Sequence, residues 1–269
     1  IKLQPADFRA NFGLGQIQFR SRSYRQAQAY LEIAARSAPK YKEAERYARL
    51  AQCCRATGLK PQAYAAVKKA IAVDPASREA HEVNISLLSS DRNFDQALVE
   101  ADALVELNRE AVRTASNKRE ALAKLHGAHN IRLSVLQAFG NTLFQVTPDG
   151  TVTDRVLEGR KPEAAAIIKR VMDDYIVMND LNRTIQYFTI IAFAERVIGM
   201  TPNDPDAWLK LGMLYRNTFQ DQAAANVFAR VLELDPENQA AKQELLTLPP
   251  PTRAATQPAR AIRQPTLSP

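Results

Sequence analysis

An all-α solenoid of antiparallel helix pairs is the fold class that this 269-residue sequence predicts, and three observations lead to it. Between Pro205 and Asn238, apolar residues recur three and four apart, the period of a helix that buries one face. The same pattern returns, less completely, at intervals near 34 residues. Strand signals are sparse, since β-branched runs are short and Gly totals 9. An apolar fraction of 46% is ample for a continuous core and argues against a disordered chain. No uninterrupted apolar run reaches the ~18 residues that a membrane-crossing helix needs.

The elements follow in order. Ile1 to Pro5 reads as the end of an earlier second helix, because Pro5 precedes Asn11 by the interval at which Pro202 precedes Trp208. The chain is therefore expected to be a fragment. The first pair runs through Leu14 and Gly15, then Ala27, Leu31 and Ala34, to Pro39. A second pair carries Tyr47, Leu50 and Ala51, then Ala63, Val67, Ala70 and Pro75, with Gly58 placed to end its first helix. A third has His81, Asn84, Ile85 and Leu88, then Ala97, Ala101 and Leu104, and ends near Arg109 with no proline to stop it. Residues 112–161 leave this rhythm. Asn117 to Leu125 is helical in composition, and Ile131, Val135, Leu136, Phe139 and Leu143 suit a further amphipathic helix. Helix to about Gln145 followed by a loop is the preferred reading there; a hairpin turning at Pro148-Asp149-Gly150 is the alternative. Pro162 to Met178 and Ile185 to Pro202 read as two more helices, and Glu237 to Leu248 as a capping helix. The final segment, 249–269, holds six prolines and three Arg without an acid, a composition expected to be extended and mobile. The division is thus 1–111, 112–161, 162–248 and 249–269.

Pro205 to Asn238 is the clearest unit. Trp208, Leu211 and Tyr215 share one helix face, Gly212 lets a second helix approach, and Ala224, Phe228 and Val231 form the face that meets it. The small Ala224 is expected opposite Gly212. Pro236 then stops the second helix. This order and spacing resemble one complete tetratricopeptide repeat, and the other pairs are similar to partial copies. The resemblance implies a right-handed superhelix, a protein-binding role without catalysis, and a concave groove lined by the first helix of each pair. On that rule Phe12, Gln16, Phe19 and Arg20 enter the groove from the first pair, Ala48, Gln52 and Arg55 from the second, and Glu82, Ser86 and Ser89 from the third. Leu209, Met213 and Arg216 do so from the last. The clamp by which some such repeats hold the acidic tails of heat-shock chaperones needs Lys and Asn where Phe12, Gln16, Ala48 and Gln52 stand, which argues against that ligand.

Charge narrows the partner. The net charge is +7, but residues 1–60 hold 12 Lys/Arg against 4 Asp/Glu, whereas 163–248 hold 8 against 12. An acidic or carboxylate-bearing protein or peptide would be steered to the first two pairs, where Arg20 and Arg55 could grip it in bidentate geometry. A solvated basic surface is the plain alternative. A nucleic-acid-binding solenoid is the second functional reading, resting on the basic balance and on Arg20-Ser-Arg-Ser-Tyr-Arg25, though acidic stretches interrupt any basic stripe. An envelope or secretion assembly scaffold is the third.

Chemistry has little support. His126 and His129 could share a helix face, yet no acidic or Cys third ligand lies nearby, so no metal or other cofactor is expected. Asp173 and Asp174 point apart and are expected in solvent. Cys53 and Cys54 are adjacent on a helix; one is expected in the core and the other near the surface, with a slight leaning to a reducing, cytoplasmic compartment. There is no phosphate-binding Gly loop and no nucleophile with a base at a recognisable spacing, so an enzyme is not expected.

Overall fold

The computed structural model describes residues 7–37, 42–147, 151–182 and 187–251, and it is all-α apart from one short hairpin. Pro39, the turn residues 148–150 and the segment 252–269 lie outside the described residues, as does Pro5. The chain divides into two compact units, residues 1–135 and 136–269.

The first unit comprises α1 (Phe8–Arg20), α2 (Tyr24–Ser37), α3 (Glu43–Ala56), α4 (Lys60–Val73), α5 (Arg78–Ser90), α6 (Phe94–Thr114) and the larger part of α7 (Lys118–Asn141). Helices α1/α2, α3/α4 and α5/α6 form antiparallel pairs, and α2·α3, α4·α5 and α3·α5 pack between pairs. Asp7 caps α1 by accepting from the Ala10 N–H at 2.7 Å. Three intra-pair turns share one wiring. The N–H groups of Ser23, Leu59 and Asn93 reach back to the carbonyls of Gln18, Cys54 and Leu88, and the residues before them (Arg22, Gly58 and Arg92) adopt positive φ. The α10/α11 turn of the second unit repeats it, with Gln220 bonding the Tyr215 carbonyl and Phe219 at φ 59°.

The second unit contains β1 (Phe144–Val146), β2 (Val152–Val156), α8 (Lys161–Asn182), α9 (Tyr187–Met200), α10 (Pro205–Asn217), α11 (Asp221–Leu234) and α12 (Gln239–Leu245). Asp204 caps α10 and Asn238 caps α12 through their side-chain oxygens, and Pro205 occupies the first turn of α10 without cost. Between α8 and α10, Lys169 contacts Asp204 at 2.9 Å and Asp206 at 2.6 Å, while Lys210 contacts Asp173 at 2.7 Å.

Within each pair, one register decides how closely the helices approach. Residues 16 apart in a pair take inverse sizes, Gly15 with Leu31, Ala51 with Val67, Ile85 with Ala101, Gly212 with Phe228, and the two glycines face their partners directly. All eight are buried. A Cβ placed on Gly15 would lie 2.8 Å from Leu31 Cγ, and one on Gly212 would lie 2.6 Å from Phe228 Cε1. The expected pairing of Gly212 with Ala224 is therefore corrected: the glycine makes room for the ring four residues further on.

Other expectations are corrected too. Helix α7 ends at Asn141, and the chain then forms a hairpin, with Phe144 paired to Val156 and Val146 to Val152, in place of helix to Gln145 and a loop. Phe144 is buried, and the Arg196 guanidinium sits 4.5 Å above its ring, which ties the hairpin to α9. The two helices read between Asn117 and Leu143 are one, continuous through Gly127, where the Arg78 guanidinium fills the notch left by the missing side chain. Without a proline at its end, α6 continues past Arg109 to Thr114. Leu14, read as a repeat core residue, is 41% exposed, because no described helix precedes α1 to cover that face.

Both cysteines are buried, at 0% and 1% exposure, rather than one. Helix α3 is packed on two sides, so adjacent residues meet different cores. Cys53 faces Phe12, Ala27, Leu31 and Ala34, and Cys54 faces Ala63, Ala66, Val67, Val83 and Leu87. Asp174 is likewise buried, not in solvent, while its neighbour Asp173 is the one that meets Lys210.

Two substitutions separate notch from propensity. Gly212→Ala should destabilise by about 1–3 kcal/mol through overpacking against Phe228, although alanine is the better helix former. Gly199→Ala, with nothing within 4 Å of its Cβ, should instead stabilise by up to about 1 kcal/mol. Urea denaturation followed by the fluorescence of the single tryptophan, Trp208, reads both in the second unit; a neutral or stabilising Gly212→Ala would refute the notch.

Candidate functional site

The first helix of the third pair lines a concave surface. A cleft of about 490 Å³ opens between α5 and α7. Ile85 and Val135 are its buried floor, Ile131 lies half-buried beside them, and Ser86, Ser89, Ser90, Ser134 and Glu82 form the walls. Two of the hydroxyls are spent on their own helices: Ser90 donates to the Ser86 carbonyl and Ser134 to that of Ile131, each at 2.7 Å. Ser89 Oγ is buried and makes no hydrogen bond to the chain. Glu82 is held by Arg78 Nε at 2.6 Å. An aliphatic floor with hydroxyl walls suits a small apolar side chain flanked by backbone amides. Glu82, Ser86 and Ser89 come from the groove reading of the sequence; Ile131, Ser134 and Val135 were missed because α7 lies outside the repeat register.

The α5 helix is fixed from behind by His81, whose role the sequence did not reveal. Its Nε2 lies 2.9 Å from the Pro75 carbonyl, which can only accept, and its Nδ1 lies 2.7 Å from Glu100 Oε2 on α6. The hydrogen bond to Glu100 raises the His81 pKa, against the opposing effect of burial. Trp208 makes the corresponding bond in the second unit, donating Nε1–H to the Pro202 carbonyl at 2.8 Å. Both residues follow their proline by six positions, a signal that was available in the sequence.

The remaining groove candidates are dispersed in role. Phe12 is buried against Phe8, Leu31 and Cys53, and Ala48 against Ala70 and Ala80, so neither offers a contact surface. Gln16 donates to Glu45 at 3.2 Å. Phe19 is half-buried, edge-on to Tyr24 with the Arg49 guanidinium 5.6 Å above its ring. Gln52 is half-buried, while Arg20 and Arg55 are exposed at the ends of α1 and α3. In the second unit Met213 is half-buried, and Arg216, named for the groove, is paired with Glu244 of the capping helix at 3.0 Å. The repeat positions Ala27, Ala63, Leu211, Tyr215 and Ala224 are buried as their spacing implies, and Tyr47 is half-buried. Tyr215 donates to Glu195 of α9 at 3.0 Å, and desolvation raises the pKa of both groups. Pro75 and Pro236 stand just past the ends of α4 and α11.

Reactive groups are subdued. Burial pushes the Cys53 thiol up to about 12 and that of Cys54 to about 11, which keeps both protonated and poorly nucleophilic at neutral pH. Among the described residues, no group of three or more His, Cys, Asp or Glu is placed to hold a metal ion. His129 is fully buried, and His126 Nδ1 lies 3.1 Å from the Asn130 amide. No described helix is long and apolar enough to cross a membrane.

A tetratricopeptide repeat family model matches residues 205–238. No curated protein matches the chain. Similar solved structures include TTC0263, a thermophilic protein of this repeat class in Thermus thermophilus, at 17% identity over 89% of this chain and 97% of that one, with a TM-score of 0.37. MamA from Desulfovibrio magneticus RS-1 is 14% identical over 88% and 99%, with a TM-score of 0.35. YrrB, described as having an unusual peptide-binding site, is 13% identical over 88% and 91%, with a TM-score of 0.34.

The His81–Glu100 pair gives stability a pH dependence of known sign. A histidine raised above its unfolded value near 6.5 stabilises the fold fully below that value and loses the contribution as pH rises through the folded pKa. The urea midpoint of the first unit, read by circular dichroism, should therefore fall on raising the pH from about 6 to 9. Glu100→Gln should flatten that fall; an unchanged slope would exclude the pair as its source.

Proposed function

We propose, from the premise that this chain is a tetratricopeptide repeat protein, that it is a non-catalytic scaffold whose first unit holds a peptide segment of a partner protein. The observation that carries this reading is the cleft between α5 and α7. It is lined by the inner face of a first helix, it has an apolar floor, and it presents a buried hydroxyl, Ser89 Oγ, without a bond to the chain. A buried polar atom left unpaired costs about 1–3 kcal/mol, and a bound amide would relieve it. Reactive alternatives lack support, because the thiols are held protonated and His81 is committed to Pro75 and Glu100.

The partner is proposed to be acidic where it meets the first two helix pairs. Lys/Arg outnumber Asp/Glu there, and Arg20 and Arg55 are exposed. Gln52, Phe19 and the half-exposed Ser86 would supply the neutral contacts along the same side.

Ser86→Trp should fill the cleft while shifting stability by no more than about 0.5 kcal/mol, since the residue is half-exposed. Protein captured by the immobilised chain from nuclease-treated native lysate, quantified by mass spectrometry, should drop at least tenfold for that variant. Equal capture by parent and variant would remove the cleft from the reading, and no protein captured by the parent would remove the scaffold itself.

A further inference from the structure

The intra-pair turns of the first unit lie side by side. Thr57 at the end of α3 is 3.3 Å from Gln28 in α2, and Lys60 and Tyr64 of α4 both reach Asp91 in the α5/α6 turn, Tyr64 at 2.9 Å. The three turns are thus linked into one continuous edge. Along it stand Arg20, Arg22 and Arg25 from the first turn, Arg55 from the second and Arg92 from the third, all exposed and none in an ion pair with a described residue. The acids on this edge are Asp91, already held by Lys60 and Tyr64, and Asp95 in the first turn of α6.

Two of these arginines stand where the backbone disfavours them. Arg22 and Arg92 each have φ 58°, the left-handed conformation that Gly58 supplies without strain in the turn between them. Neither guanidinium makes a hydrogen bond or ion pair with a described residue. The shared turn wiring holds this conformation whatever the residue, as Phe219 at φ 59° does in the second unit, so the turn presents the arginine side chain outward without needing it for the fold.

We infer that this turn edge, rather than the groove face, is the docking surface for an extended acidic peptide, with Arg22, Arg55 and Arg92 as successive carboxylate grips. The inference rests on the protein-binding reading and moves its acidic contact from the groove to the edge. Neighbouring helices pack about 10 Å apart, a step that a peptide in the extended polyproline-II conformation covers in about three residues, which is also one turn of it, so every third side chain faces the same way. Carboxylates at every third position would then meet one guanidinium each, in the bidentate geometry that arginine favours. The aromatics beside these arginines, Tyr24 and Tyr64, are half-buried, Tyr24 against Phe19 and Tyr64 bonded to Asp91, whereas a single-stranded nucleic acid would use open stacking faces.

The test uses the full chain and a fluorescein-labelled dodecapeptide with Glu at every third position and Gly or Ser between. Anisotropy is read at low salt, with an oligothymidylate 12-mer and phosphatidylserine vesicles as competitors. Arg22→Gly/Arg92→Gly should lower peptide affinity at least tenfold while the urea midpoint holds or rises, because glycine relieves both turns. Adding Arg55→Gln should lower it further, and Arg→Lys at the three positions should recover only part. Ser86→Trp should leave the peptide unaffected, which separates the edge from the cleft. Undetectable peptide binding, unchanged affinity in the glycine variant, or preferential competition by the oligonucleotide or the vesicles would each overturn the proposal.

Discussion

The distance between the two helices of a pair is set by one facing position, and the rest of the molecule depends on it. Where the first helix has Gly212, the second can bring in Phe228; where it has Ile85, the second carries the small Ala101. The combined volume at these positions is nearly conserved across four pairs of different composition, and interiors tolerate volume-conserving exchange best. Each pair then presents matching outer faces to its neighbours. Stacking buries what a single pair leaves exposed, so Leu14 on the uncovered side of α1 remains wet while Leu211 does not.

This exchange of sizes also explains what was legible in the sequence. Pro205 to Asn238 follows the family pattern residue by residue, with Gly in the first helix and an aromatic in the second, and it is the segment that the family model matches. The α5/α6 pair has the sizes reversed and His81 in place of tryptophan, so a pattern keyed to residue identity sees less there than the packing contains. Read as volumes and as hydrogen-bond donors, the two segments carry the same information.

Features outside the register were harder to read. The strands at 144–146 and 152–156 compete with helix because Phe139 and Leu143 are four apart, and what favours them, the pairing of Phe144 with Val156 and its burial beneath Arg196, is not local in sequence. Groove membership was misjudged at Phe12 and Ala48 because those positions on the first helix turn toward its own partner helix and the following pair. The pairing of Arg216 was not legible either: the capping helix brings Glu244 to it, a tertiary contact that local spacing does not encode. Burial of Asp174 and of both cysteines shares that origin, since helices packed on two sides leave little surface to solvent.

The adjacent thiols have a practical consequence. Cys53 looks into the core shared with α1 and α2, and Cys54 into the core shared with α4 and α5. Neither can react while the helices are closed, so alkylation in native buffer measures excursions in which neighbouring pairs part. Peptide mapping of which sulfur is labelled first would tell whether the array frays from its N-terminal side or opens at an internal joint. The protein thereby carries its own pair of reporters on local unfolding, one on each side of a single helix.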